Sequence, residues 1–210
     1  MTRPDVTIVD YGVGNLGSLR NALAKVGRSS EVTSDPQTVI DAARIILPGV
    51  GSFDHAVDRL TETGLGEAVV TAAREKGTPL AGVCLGMQLI MDGSDEGERP
   101  GLGLIPGRAH RFPEEFDGSR LLVPHMGWSA AVAAKPSRLA PSLGDGGRFY
   151  FVHSYAVTPD DEADVLTWTE YGERYASSVE RDNVIGIQFH PEKSHRFGLA
   201  LLGEFAVAEA

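Results

Sequence analysis

One cysteine, Cys84, stands in the 210-residue sequence. That excludes an internal disulfide and a cysteine-rich metal site, and it suits the reducing cytoplasm. No basic cluster is present and the formal net charge is −10, so nucleic acid and anionic membrane surfaces are poor partners. No apolar run is long enough to span a bilayer, and the opening segment MTRPDVTIVD has no signal-peptide apolar stretch. The expectation is a cytoplasmic protein. Repeats and low-complexity tracts are absent as well.

What is present is apolar content and glycine. At 42% hydrophobic residues the chain can bury a sizeable core, and its length fits one domain spanning 1–210. The first half alternates strand and helix signals. Strands are expected at DVTIVDY, SEVTS, ARIILPG and PLAGVC. Helices are expected at Ser18–Gly27 (Ser18 as N-cap, Gly27 as C-cap), after Asp35-Pro36, in SFDHAVDRL and GEAVVTAAREKG, and from Leu85 to Met91. This alternation predicts an α/β fold with a mainly parallel, mixed open sheet covered by helices on both faces. A glycine-rich loop is expected over Asp92–Gly107. Shorter strands follow in SRLLVPHMGWS, GRFYFVHSYAV, DVLTWTEYG, RYASSVE and NVIGIQFHP, and a last helix in HRFGLALLGEFAVA.

Two glycine turns compete for attention. GVGNLG (Gly12–Gly17) fits the dinucleotide fingerprint, between a strand and a helix, with Asp35 near the end of the next strand. A tight βα turn needs the same glycines, however, and the dinucleotide scheme has no place for the second turn, PGVGSF (Pro48–Phe53).

GVCLG (Gly82–Gly86) resembles a nucleophile elbow with cysteine in place of serine. In such a turn the nucleophile takes a strained backbone conformation, small neighbours let strand and helix pack closely, and the start of the helix favours negative charge. A buried structural thiol fits the local pattern equally well. A thiol nucleophile needs a base, and the base an orienting group. Of six histidines, His55, His110 and His195 read as surface residues, and His125 and His153 as either core or site. His190 ends the apolar strand VIGIQFH, and Glu192 follows after a proline turn, so the carboxylate can reach back to the imidazole. The C-terminal end of a strand is where open α/β sheets place their chemistry. Cys84, His190 and Glu192 therefore form a candidate triad. The PGVG turn (Gly49, Val50, Gly51), with the N–H of Leu85, can cradle an oxyanion.

PGVGSF, GVCLGMQL and QFHPEKS, in that order, resemble the class I (triad-type) glutamine amidotransferases, with their flavodoxin-like sheet. More narrowly, DYGVGNLGSLRNAL, PHMGW and FYFVHSY are similar to the glutaminase subunits of imidazole glycerol phosphate synthases. The likeness runs the length of the chain. It implies hydrolysis of glutamine to glutamate and ammonia. The ammonia would pass to a (β/α)8-barrel cyclase subunit, in a heterodimer, which makes imidazole glycerol phosphate and AICAR from PRFAR in histidine biosynthesis. It implies no cofactor and no metal. Cys84 would attack the amide, His190 would move the protons and Glu192 would orient it. Gln88, Glu96 and the backbone of Ser154 and Tyr155 would hold the amino-acid end of glutamine. Val13, Asn15, Ser18, Pro124, Met126, Trp128 and Lys193 would face the cyclase. Two alternatives remain at this point: a stand-alone amidase on the same elbow, and a non-catalytic dinucleotide or interaction module built on Gly12–Gly17.

Overall fold

A computed structural model describes residues 3–209. The parallel half opens with β1 (Val6–Val9), α1 (Leu16–Lys25), β2 (Ser30–Thr33), α2 (Pro36–Ile40) and β3 (Ile45–Gly49). It continues with α3 (Phe53–Glu62), α4 (Leu65–Lys76), β4 (Leu80–Cys84) and α5 (Leu85–Leu89). The second half is mostly antiparallel: β5 (Gly93–Ser94), β6 (Gly107–Arg111), β7 (Glu115–Phe116), β8 (Ser119–Arg120) and β9 (His125–Ala133). Then come β10 (Gly147–His153), β11 (Tyr155–Pro159), β12 (Val165–Tyr171), β13 (Glu173–Arg181), β14 (Val184–Ile187) and α6 (His195–Phe205).

Strands join in the order β10-β9-β12-β13-β14-β4-β3-β1-β2, with β11, β6 and β5 attached beside β13. The stretch β14-β4-β3-β1-β2 is parallel throughout. The sheet is thus mixed, with β14 turning it from the antiparallel to the parallel half by pairing each way.

Alternation along the buried strands sends side chains to two separate cores. Ile45, Leu47 and Leu80 pack with Phe53, Leu60 and Val69 under α3 and α4, whereas Ile46, Val83 and Ile187 pack with Leu19, Leu23, Leu202 and Phe205 under α1 and α6. Each fully buried residue of this size contributes roughly 1.5–3 kcal/mol, so neither helical layer is dispensable. Among the described residues no helix is long and apolar enough to cross a membrane.

Several boundaries differ from the expectation. Helix α1 starts at Leu16, not after Ser18, because the Asn15 side chain accepts from the Ser18 N–H and so supplies the cap. Gly27 lies one residue past the Val26 cap with φ +72°, and the N–H groups of Gly27 and Arg28 close the helix on Ala24 and Leu23. Asp35 caps α2 ahead of Pro36, as expected. Helix α5 stops at Leu89, two residues early. SRLLVPHMGWS is no single strand: Pro124 lacks an N–H for a ladder, and β9 begins only at His125. GRFYFVHSYAV breaks at Ser154 into β10 and β11. The loop after Asp92 contains β5 and runs into β6, GRAHR, which the sequence reading did not assign.

Candidate active site

Register brings the candidate residues together. In the β3–β4 pairing Gly49 lies opposite Cys84, and Ile187 of β14 lies opposite Val83. The C-terminal ends of three parallel strands therefore deliver the PGVG turn, the cysteine and the segment Gln188–His190 to one place.

Cys84 sits between β4 and α5 with φ +56° and ψ −109°, a conformation that non-glycine residues avoid. Its two flanking glycines are sterically required. A Cβ on Gly82 would stand 2.5 Å from the Gly86 carbonyl oxygen, and one on Gly86 would stand 1.9 Å from the Leu47 carbonyl oxygen. The elbow is thus wedged against β3, and the sheet holds the cysteine in its strained turn. Gly49 belongs to the same wedge: a Cβ there would lie 2.8 Å from Leu85 Cβ and 2.9 Å from the Gly86 nitrogen.

His190 is buried, and its Nδ1 lies 2.9 Å from Glu192 Oε1, whose side chain is also buried. Burial alone would lower the imidazole pKa. The neighbouring Cys84 thiol group and the Glu192 carboxylate, which is hydrogen-bonded to the ring, outweigh it and push the pKa up to about 9. The His190 backbone N–H donates to the Tyr150 carbonyl at 2.9 Å, which ties the turn carrying the base to β10.

A cleft of about 370 Å³ opens over the thiol. Val50, Gly51, Cys84, Leu85, Gln88, Glu96, Ser154, Tyr155 and His190 line it, so the residues expected for oxyanion and substrate binding converge, with Gly49 directly behind. Gln88 is buried and its Oε1 has no partner. Glu96 is half-buried rather than solvated. Its Oε2 accepts from the Phe53 N–H at 2.9 Å, capping α3, whose Ser52 makes no side-chain cap.

Of the residues expected at a partner face, Met126 is 62% and Trp128 38% exposed, although both types usually pack inward. Pro124 and Lys193 lie on the rim of the cleft, and Lys193 and Ser18 line the adjoining groove. Asn15 is exposed apart from its capping contact, and Val13 is half-buried against the core. His55, His110 and His195 are exposed, whereas His125 and His153 are buried.

The sequence reading missed three residues. Gln188, fully buried, donates from Nε2 to Cys84 Sγ at 3.7 Å, and its Oε1 is unpaired. The Tyr11 hydroxyl donates to the Pro48 carbonyl at 2.7 Å, behind the PGVG turn. Leu122, 69% exposed, is a further large apolar side chain on the surface. Position two residues before the candidate base His190 was the one available signal for Gln188. Nothing local marked the other two.

A family model described as glutamine amidotransferase class-I matches residues 7–207. The chain is 46% identical over 207 residues to the imidazole glycerol phosphate synthase subunit HisH of Aromatoleum aromaticum, covering 96% of this chain and 97% of that one. It is 42% identical over 200 residues to the subunit HisH 2 of Methanococcus maripaludis, covering 95% and 98%. Among solved structures, a glutamine amidotransferase superimposes with a TM-score of 0.67 at 21% identity, over 94% of this chain and 98% of that one. PurLQS from Thermotoga maritima gives 0.69 at 19% identity, over 97% and 96%. At such identities these two likenesses speak for the fold.

Proposed function

The chain belongs to the class-I glutamine amidotransferases, among the HisH subunits of imidazole glycerol phosphate synthase, and we propose from this that Cys84, His190 and Glu192 are its glutaminase triad. The enzyme hydrolyses glutamine and feeds the ammonia to a cyclase subunit in histidine biosynthesis. The observation that carries the assignment of roles is the buried 2.9 Å His190–Glu192 pair beside a cysteine on a strained elbow.

Cys84 sulfur attacks the side-chain amide carbon of glutamine. The oxygen that gains charge faces the N–H groups of the Gly49–Val50–Gly51 turn and of Leu85. His190, as imidazolium, gives its proton to the amide nitrogen. Ammonia leaves, and a thioester joins Cys84 to the glutamyl group. Neutral His190 then takes a proton from water, which attacks the thioester. Sulfur departs, glutamate is released and His190 is again protonated. Glu192 holds the imidazole in one orientation and favours its charged form. Gln88, Glu96 and the Ser154 and Tyr155 backbone bind the amino-acid end of glutamine, with the free Glu96 oxygen available to its ammonium. Val13, Asn15, Ser18, Pro124, Met126, Trp128 and Lys193 face the cyclase, a (β/α)8 barrel in a heterodimer. The 1–210 chain acts as one domain in the cytoplasm, without a cofactor or metal.

The test is glutamate release by the chain alone and with the cyclase subunit and its nucleotide ligand. Release that rises with the partner supports the reading. Equal release in both would point to a stand-alone amidase.

Two variants probe the roles further. Glu192→Gln should lower kcat at least about a hundredfold, as loss of an orienting carboxylate does in other triads. It removes a group that raises the His190 pKa. The alkaline loss of kcat/KM, expected as His190 deprotonates near pH 9, should therefore move to lower pH in a rate profile. Glu96→Gln should raise KM for glutamine roughly tenfold, the effect of losing about 1.4 kcal/mol of charge-assisted binding. Its amide oxygen can still accept from Phe53 N–H, so the melting temperature should change little.

A further inference from the structure

Beside and behind the Ser154–Tyr155 wall lies a set of buried titratable rings that the chemistry above does not use, with His153 itself on the cleft lining. His125 and His153 face each other across the β9–β10 ladder. The Tyr175 hydroxyl of β13 stands between them, 3.1 Å from His125 Nδ1 and 3.1 Å from His153 Nε2. At the far ends, His125 Nε2 is 2.9 Å from Ser129 Oγ, and His153 Nδ1 is 2.7 Å from the Tyr155 carbonyl oxygen. Packing holds the rings in place: His125 is stacked between Tyr171 and Phe151, with centroids 4.0 and 4.9 Å away, and Phe112 stands edge-on to Tyr175.

Burial keeps both imidazoles neutral, lowering His153 to about 3 and His125 to about 4. Each then has one N–H and one lone pair, and the direction of every bond follows. A carbonyl only accepts, so His153 Nδ1–H donates to Tyr155. His153 Nε2 is therefore an acceptor, and Tyr175 must donate to it. With its only proton committed, Tyr175 can only accept from His125, whose proton is thus on Nδ1. Ser129 in turn donates to His125 Nε2. The bond from His153 Nδ1 to the Tyr155 carbonyl closes the bend at Ser154, where β10 breaks from β11 and both neighbours line the cleft.

We propose that Tyr175, with His125 and His153, forms a one-directional hydrogen-bond relay that fixes the Ser154–Tyr155 bend and so sets affinity for glutamine. The proposal rests on the reading that this wall holds the amino-acid end of the substrate. Tyr175, His125 and His153 are positioning residues and touch no reacting atom.

Two measurements test it. Nitrogen-15 NMR of the histidines in the wild-type chain should show His125 and His153 both neutral with the proton on Nδ1 at pH 7. A proton on Nε2 of either ring overturns the relay, whatever the enzyme does. In the complex with the cyclase subunit, Tyr175→Phe should raise KM for glutamine roughly tenfold, the size of one lost hydrogen bond, with kcat lowered less than about threefold. His153→Asn, which keeps an N–H near the Nδ1 position, should retain a lower KM than His153→Leu. A purely packing role would not favour asparagine over leucine. An unchanged KM in Tyr175→Phe, or asparagine no better than leucine, overturns the proposal. Absence of glutamate release from the wild-type complex would refute the glutaminase reading instead, and the NMR result would then decide the relay by itself.

Discussion

Cys84→Ala should abolish glutamate release, by about 10⁴-fold or more, and leave the fold standing. The size follows from the chemistry: without sulfur there is no thioester, and removal of a nucleophile from a cooperating triad forfeits nearly all of its rate. The tolerance follows from the turn. Alanine keeps the Cβ that the sheet already holds at φ +56°, so no new strain appears. What disappears is one buried sulfur and its 3.7 Å contact with Gln188. The loss of stability should be about 1 kcal/mol, typical of a small truncation. Glutamate release and thermal melting, measured on one preparation, separate the two effects. Residual turnover above about 1% of wild type would remove Cys84 from the chemistry, since loss of a nucleophile leaves far less.

The second large effect is on folding. Gly86→Ala should cost at least about 4 kcal/mol, a large share of the 5–15 kcal/mol that holds a typical domain. The added Cβ would lie 1.9 Å from the Leu47 carbonyl oxygen and 3.0 Å from its carbon. Both are backbone atoms in the middle of the sheet, and no side chain can swing aside. Relief requires α5 to draw back from β3, which unseats Cys84 and reopens the core beneath it. Gly17→Ala is the matched control. A Cβ there meets nothing within 4 Å, and in α1 alanine should be neutral or stabilising by up to about 1 kcal/mol. Urea denaturation should place Gly86→Ala well below wild type and Gly17→Ala at or above it. Equal midpoints would mean that the elbow is not wedged.

What the sequence made legible was whatever has a local cause. The parallel half followed from strand–turn–helix alternation, because buried strands and amphipathic helices each announce their own period. The Asp35-Pro36 start of α2 was readable for the same reason. Strand β6 was not. Its inward residues are Gly107 and Ala109, too small to stand out between arginines, and the strand exists because β11 pairs with it. Helix α1 was placed three residues late, since Ser18 and Asn15 are both good caps and only three-dimensional geometry shows which side-chain oxygen accepts. At the site, Cys84, His190 and Glu192 could be proposed from spacing plus resemblance. Glu96 would have been taken for a solvated loop charge without the resemblance. Its capping of α3 spans 43 residues and could not be read locally. Gln188, Tyr11 and Tyr175 earn their places through contacts 104, 37 and 50 residues away. No window of sequence contains both partners.

The solitary thiol also decides how the protein ages under oxidants. A sulfenic acid formed on Cys84 would find no second cysteine in this chain with which to condense. The disulfide branch of the oxidation ladder is then open only to a thiol from outside the chain that is small enough to enter the cleft. Where none arrives, oxidation runs on to the sulfinic acid and the subunit is lost. Protection by a low-molecular-weight thiol, and by glutamine filling the same space, is the behaviour that this buried position imposes.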